Sequence, residues 1–138
     1  IETHHQPPRQ PKMLAPRYSK RLWRVSFVTI LSTVCGIAHR RWGCVVSTLC
    51  VFASSLNYWR APARGMRRNM DMAIVALGAA WHVYLWVWYW AVVVVCLLCY
   101  IAARLCKDPN ISSWLHCGIH IIANIGNIIL FLSIEKNT

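Results

Sequence analysis

Thirty-two consecutive residues, Met72 to Ala103, contain no Asp, Glu, Lys, Arg or Pro. A run that long and that apolar is read as membrane-embedded before anything else about the chain is considered. Composition agrees: 57% of the 138 residues are hydrophobic, 14% are charged and mean hydropathy is +0.41, against roughly 25% charged residues in soluble domains. An ordinary soluble enzyme is thereby excluded. At about 20 residues per crossing, the length allows at most about five or six spans. The expected fold is an all-α integral membrane helical bundle.

The first apolar segment runs from about Leu22 or Ser26 to Ala38 and the second from about Cys44 to Tyr58, joined as a helical hairpin by the charged turn HRRWG. Each is short for a hydrocarbon core of about 30 Å. The loop Trp59 to Met70 holds Pro62, Gly65 and four arginines, after which Asn69 or Asp71 is the expected N-cap of the next helix. A single helix from Asp71 to Cys106 would be about 54 Å long at 1.5 Å per residue, so it either projects far from the membrane or breaks. Trp81, Tyr84, Trp86, Trp88, Tyr89 and Trp90 lie halfway along it. Because Trp and Tyr favour the interface, a turn near residues 83–90 is predicted. The last span runs from Ser113 to about Ile134, after the breaker KDPNISS. Five transmembrane helices are expected, alternatively four.

Fifteen Lys and Arg against four Asp and Glu give a net charge of +11. Five crossings place the N-terminal arm, the Arg60–Arg68 loop, Arg104 and Lys107 on one side, leaving Arg40, Arg41 and Lys136 on the other. Four crossings separate the charges less sharply. Residues 1–24 form an arm with Pro7, Pro8, Pro11 and Pro16 and six basic residues, expected to be extended, with residues 25–138 as the transmembrane domain. Anionic lipid or an acidic partner surface is its expected contact. Topology explains basic residues beside a span, so nucleic acid is not among the expected partners. Arg21, Arg24, Arg60, Arg64, Arg67 and Arg68 are the candidate lipid-binding residues. A presequence upstream of Ile1 would suit an organellar protein.

The seven cysteines lie mostly within apolar runs and are odd in number, so they read as small hydrophobes rather than a disulfide framework. Cys96 and Cys99 make a C-x-x-C spacing with no second pair.

The sharpest chemical signal is in the last helix. Ser113, His116, His120, Asn124 and Asn127 fall on one face, within an arc of about 80° at 100° per residue. Such a stripe faces a bundle interior, since ionisable groups are costly in lipid. His116 and His120, one turn apart, present two imidazoles to one metal ion or cofactor; alternatively the His and Asn side chains hydrogen-bond neighbouring helices. Asp71 is the only acid at the head of a span. It is read either as a base or ligand partner, or as a cap that balances the preceding arginines. His82 shares its helical face, with Gly78 and Ala79 between them admitting a neighbouring helix. Ser47, Cys50, Ser54 and Asn57 form a softer polar edge suited to packing.

Ser54 or Ser55 at one helix end, Asp71 at the head of the next and His116-x-x-x-His120 in the last resemble the CREST superfamily of membrane hydrolases, which includes alkaline ceramidases and progestin/adipoQ receptors. The resemblance implies a zinc ion held by His116 and His120, with Asp71 and Ser54 orienting water. The family's first histidine is replaced here around Asn57-Tyr58-Trp59, which implies a metal site lacking one ligand, and its seven helices exceed the four or five read here.

Three functions follow as expectations. The first is an accessory subunit of a multi-subunit membrane complex, in the mitochondrial inner membrane before other organelles, as part of a respiratory or ATP synthase complex. It would bind phospholipid such as cardiolipin and brace its partner subunits. The second is a zinc-dependent membrane lipid hydrolase. The third is a haem- or proton-handling subunit using His82, His116 or His120.

Overall fold

The computed structural model describes residues 14–134 and is all-helical over them. Helices α1 (Pro16–Ser26) and α2 (Thr29–Ala38) form one rod, followed by α3 (Trp42–Trp59), α4 (Met66–Leu85), a 3₁₀ turn (Val87–Tyr89), α5 (Trp90–Leu105) and α6 (Pro109–Ile134). Among the described residues, three segments are long and apolar enough to cross a membrane: Pro16–Ala38, Val87–Leu105 and Pro109–Ile134.

The rod takes in the last nine residues of the expected arm. Pro16 sits in the first helical turn, where a missing N–H costs nothing and its fixed φ suits the helix. The proline expected to keep the chain extended therefore starts a helix, and the extended reading is corrected for residues 16–24. Residues 1–13 of the arm lie outside the described residues. Between α1 and α2 the backbone tightens, with Phe27 and Val28 donating to Arg24 and Val25. The Ser26 hydroxyl donates back to the Leu22 carbonyl at 2.9 Å, a bond that bends helices.

The predicted hairpin turn forms at residues 39–41. Arg40 takes φ 54°, while Arg41 donates to the Gly36 carbonyl at 2.8 Å and Arg40 to that of Ile37 at 3.0 Å. This is the Schellman arrangement, with arginine where glycine is usual. At the head of α4 the left-handed residue is Gly65, φ 132°. The helix thus starts at Met66, and Asp71 lies in its second turn. The expectation that Asn69 or Asp71 caps α4 is corrected, because arginine and methionine continue a helix readily once Gly65 has turned the chain.

The long apolar run does break in the predicted window. Trp86 is extended, φ −154° and ψ 106°, and a 3₁₀ turn carries the chain into α5. Trp81, Tyr84, Trp88 and Trp90 are exposed there, whereas Tyr89 is buried. Tyr89 is the exception to the expected aromatic belt because its hydroxyl donates to Asn127 Oδ1 at 2.6 Å.

Packing is inverted relative to a water-soluble protein. Ser26 and Ser32 are fully buried, while Leu77 and Leu98 are 70% and 61% exposed. In water that distribution would leave the apolar surface without a favourable environment; in lipid it is expected, because small and polar residues hold helices together and apolar ones face the tails. Thr33 donates to Thr48 across the first hairpin at 2.9 Å, and the Ser32 N–H donates to Asn124 Oδ1 on α6 at 3.1 Å. Two apolar clusters close the ends of the bundle: Leu22, Tyr58, Trp59 and Cys117 at one, Cys44, Tyr89, Leu130 and Phe131 at the other. None of the seven cysteines forms a disulfide.

Candidate functional site

Helix α4 packs chiefly on α3 and helix α5 chiefly on α6. Between these two pairs lies a cavity of about 660 Å³, within the roughly 300–1,000 Å³ of small-molecule sites. Apolar side chains form its middle, among them Val51, Val75, Val93 and Leu97, and polar groups gather at both ends.

At one end α3 and α4 meet through Asp71. The hydroxyls of Ser54 and Ser55 both donate to its Oδ1, at 2.7 and 2.9 Å, and the residue is 8% exposed. The two serines are adjacent in the last third of α3, which the short loop to α4 brings opposite Asp71. Among the described residues no cation forms an ion pair with this carboxylate, so the serine hydroxyls, and not the preceding arginines, satisfy it. Arg68 and Arg104 line the same end with Tyr58, Trp59, Tyr100 and His116. The His116 ring lies 5.5 Å from Trp59 and 5.7 Å from Tyr100, edge-on to both.

At the other end His82 is 4% exposed and meets Tyr89 and Phe131 edge-on at 5.1 and 5.7 Å. Gly78, one turn earlier on the same face, lets α3 approach: an added Cβ there would stand 3.0 Å from Ser47 Oγ. Asn124 and Asn127 close this end through their bonds to Ser32 and Tyr89.

The structure thus brings Asp71, His82, His116, His120, Asn124 and Asn127 to one cavity, together with Ser55. Ser54 reaches it only through Asp71, and Asn57 is not among its lining residues. Ser113 lines it too, while its Oγ accepts from Arg21 at 2.6 Å. Arg21 also donates to Asn110 and lies over the Trp114 ring at 4.3 Å, so this candidate lipid contact ties α1 to α6. Arg24, Arg60, Arg64 and Arg67 are exposed, and Arg68 is half-buried.

The donor set bears on a zinc centre directly. His116 and His120 are present, but Trp59 packs on His116 in the stretch where the resemblance implies a further histidine. Among the described residues no group of three or more His, Cys, Asp or Glu side chains is placed to share an ion. Two imidazoles do not fit a three-histidine site, and no chemical step is assigned to a metal here.

Sequence reasoning missed Tyr58, Trp59, Tyr100 and Arg104 as cavity residues, and it read Ser47 as packing alone. These side chains come from two helices, α3 and α5, and no periodicity within one helix reports its meeting with another. Comparison with protein-family models, with curated proteins and with solved structures returned no match.

Proposed function

We propose that this chain is a small integral membrane subunit that crosses the bilayer five times and holds a lipid-class amphiphile in its central cavity. One observation carries the reading: a cavity of about 660 Å³ with apolar walls and polar ends, between two helix pairs that pack little on each other. An amphiphile from the surrounding bilayer meets matching chemistry there, tail against Val75, Val93 and Leu97, polar groups at the ends. Membership of a larger assembly is supported by α5, of whose 16 residues only Ala103 is buried, leaving a long apolar face for partner helices. The mitochondrial inner membrane is the location proposed, on composition and charge, with the exposed arginines contacting anionic lipid.

Native mass spectrometry of the chain purified in mild detergent tests the lipid reading. Wild type is expected to carry a co-purified lipid, and Ala79→Phe, which fills the cavity from α4, to lose it while staying monodisperse. A lipid-free wild type, or an equal lipid load on Ala79→Phe, would overturn it. For the assembly, co-migration with partner proteins on native gels is expected, and an isolated monomer is the contrary result.

A second reading, a hydrolase of lipid amides or esters, is favoured by the Ser54 and Ser55 bonds to Asp71 in the cavity that His116 and His120 line. Loss of hydrolysis in His116→Ala and His120→Ala would support it. Unchanged activity in both variants would sink it.

A further inference from the structure

The end of the cavity around His82 is incompletely satisfied. Among the described residues, three buried side-chain polar atoms have no hydrogen-bond partner, and two of them, His82 Nε2 and Ser47 Oγ, belong to residues lining this end. Their neighbours are fully engaged: Thr48 with Thr33 and with carbonyls of its own helix, Tyr89 with Asn127. Ser47 packs on Gly78, one turn from His82 on the same face of α4, so both residues stand on one stretch of the cavity wall. A buried polar atom without a partner forfeits its hydration with nothing in return. Two such atoms in one cavity wall mark the place of a missing partner.

The chemistry of that partner is restricted. The charged residues lining the cavity, Arg68, Asp71, Arg104 and Lys107, belong to its other end, and the His82 ring is flanked by the edges of Tyr89 and Phe131. A charged group would lose its hydration there with no counter-charge in the cavity wall, since Arg41, at the same end of the bundle, is not among the lining residues. A carbonyl could accept from both Ser47 Oγ and His82 Nε2 only in the Nε2–H tautomer, whereas a group that donates and accepts pairs with them in either tautomer. A hydroxyl matches both.

We propose that the His82 end of the cavity binds an uncharged lipid hydroxyl, held between Ser47 Oγ and His82 Nε2. This rests on the cavity holding a lipid-class amphiphile and specifies which polar group that amphiphile carries inward.

The test uses the full chain in detergent and two photoreactive compounds, a long-chain primary alcohol bearing a mid-chain diazirine and the matching alkane. Cross-linked peptides are quantified by mass spectrometry. The alcohol is expected to label cavity-lining peptides of α4 and α6 about three- to tenfold more than the alkane, the preference one hydrogen-bonded site supplies. Ser47→Ala and His82→Phe are each expected to abolish that preference while leaving alkane labelling unchanged. Ser47→Ala deletes only a hydroxyl beside Gly78, so it decides the matter if His82→Phe fails to fold. Equal labelling by both compounds in wild type, or a preference that survives Ser47→Ala, overturns the hydroxyl site and leaves the lipid reading standing. Labelling of the cavity by neither compound overturns the lipid reading itself, and this site with it.

Discussion

Asp71 shows how one residue type carries two meanings at the same sequence position. Near the start of a helix and after several arginines, a carboxylate reads as a cap or a counter-charge. Placed in the second turn of α4 it faces α3, where the Ser54 and Ser55 hydroxyls donate to it. Replacing it separates these roles. Asp71→Asn keeps a carbonyl oxygen for the serines and is expected to stay within about 1 kcal/mol of wild type, whereas Asp71→Leu orphans the hydroxyls and costs about 1–3 kcal/mol. Thermal unfolding in detergent measures the difference, and an equal loss in both variants would show that charge, not the bonds, is what the site requires. Should the protein also cleave lipid, Asp71→Asn distinguishes structure from chemistry, since it removes a base while keeping the fold.

At the scale of helices, apolar length was the legible quantity and helix starts were not. The break at Trp86 followed from arithmetic, because an unbroken helix over that run far exceeds a bilayer. The starts at Pro16 and Met66 were misplaced because the residues concerned, PRYSKR and MRRNM, have no apolar periodicity, and arginine and lysine are good helix formers once a proline or glycine has set the turn. The polar stripe of α6 was visible from spacing alone; that Asn124 would turn to Ser32 and Asn127 to Tyr89 was not, since the partners lie on other helices. Helix proximity is equally hidden in sequence at Gly126. An added Cβ there would stand 2.7 Å from Val92 Cγ2 and 2.8 Å from its Cγ1, a branched side chain with little freedom to give. Gly126→Ala is therefore expected to separate α5 from α6 and to destabilise by about 1–3 kcal/mol. Gly118→Ala, whose added Cβ meets nothing within 4 Å, is the control and should be neutral or slightly stabilising in the same unfolding measurement. A neutral Gly126→Ala would mean that α5 is not held against α6 in the membrane.

For the whole molecule the question is which way the bundle faces. Short connections at residues 39–41, 60–65 and 106–108, with the Trp86 break, make successive helices antiparallel. Arg21 bonded to Asn110 and Ser113, and Trp59 set against His116, put the start of the rod, the α3–α4 loop and the α5–α6 loop at one end. Arg17, Lys20, Arg21 and Arg24 therefore share that end with Arg60, Arg64, Arg67, Arg68, Arg104 and Lys107, while Arg40 and Arg41 occupy the other. A basic excess close to the ends of spans sets orientation, so the basic end is expected on the cytoplasmic or matrix face. With five crossings, epitope tags added before Ile1 and after Thr138 fall on opposite faces of the membrane; with four they share one. Protease protection in sealed vesicles decides between them. The expected pattern is an N-terminal tag on the basic side and a C-terminal tag exposed on the other. Two tags on the same face would mean that α4 and α5 together make one crossing, and the cavity between them would then open to water at the Trp86 turn instead of to lipid along its length.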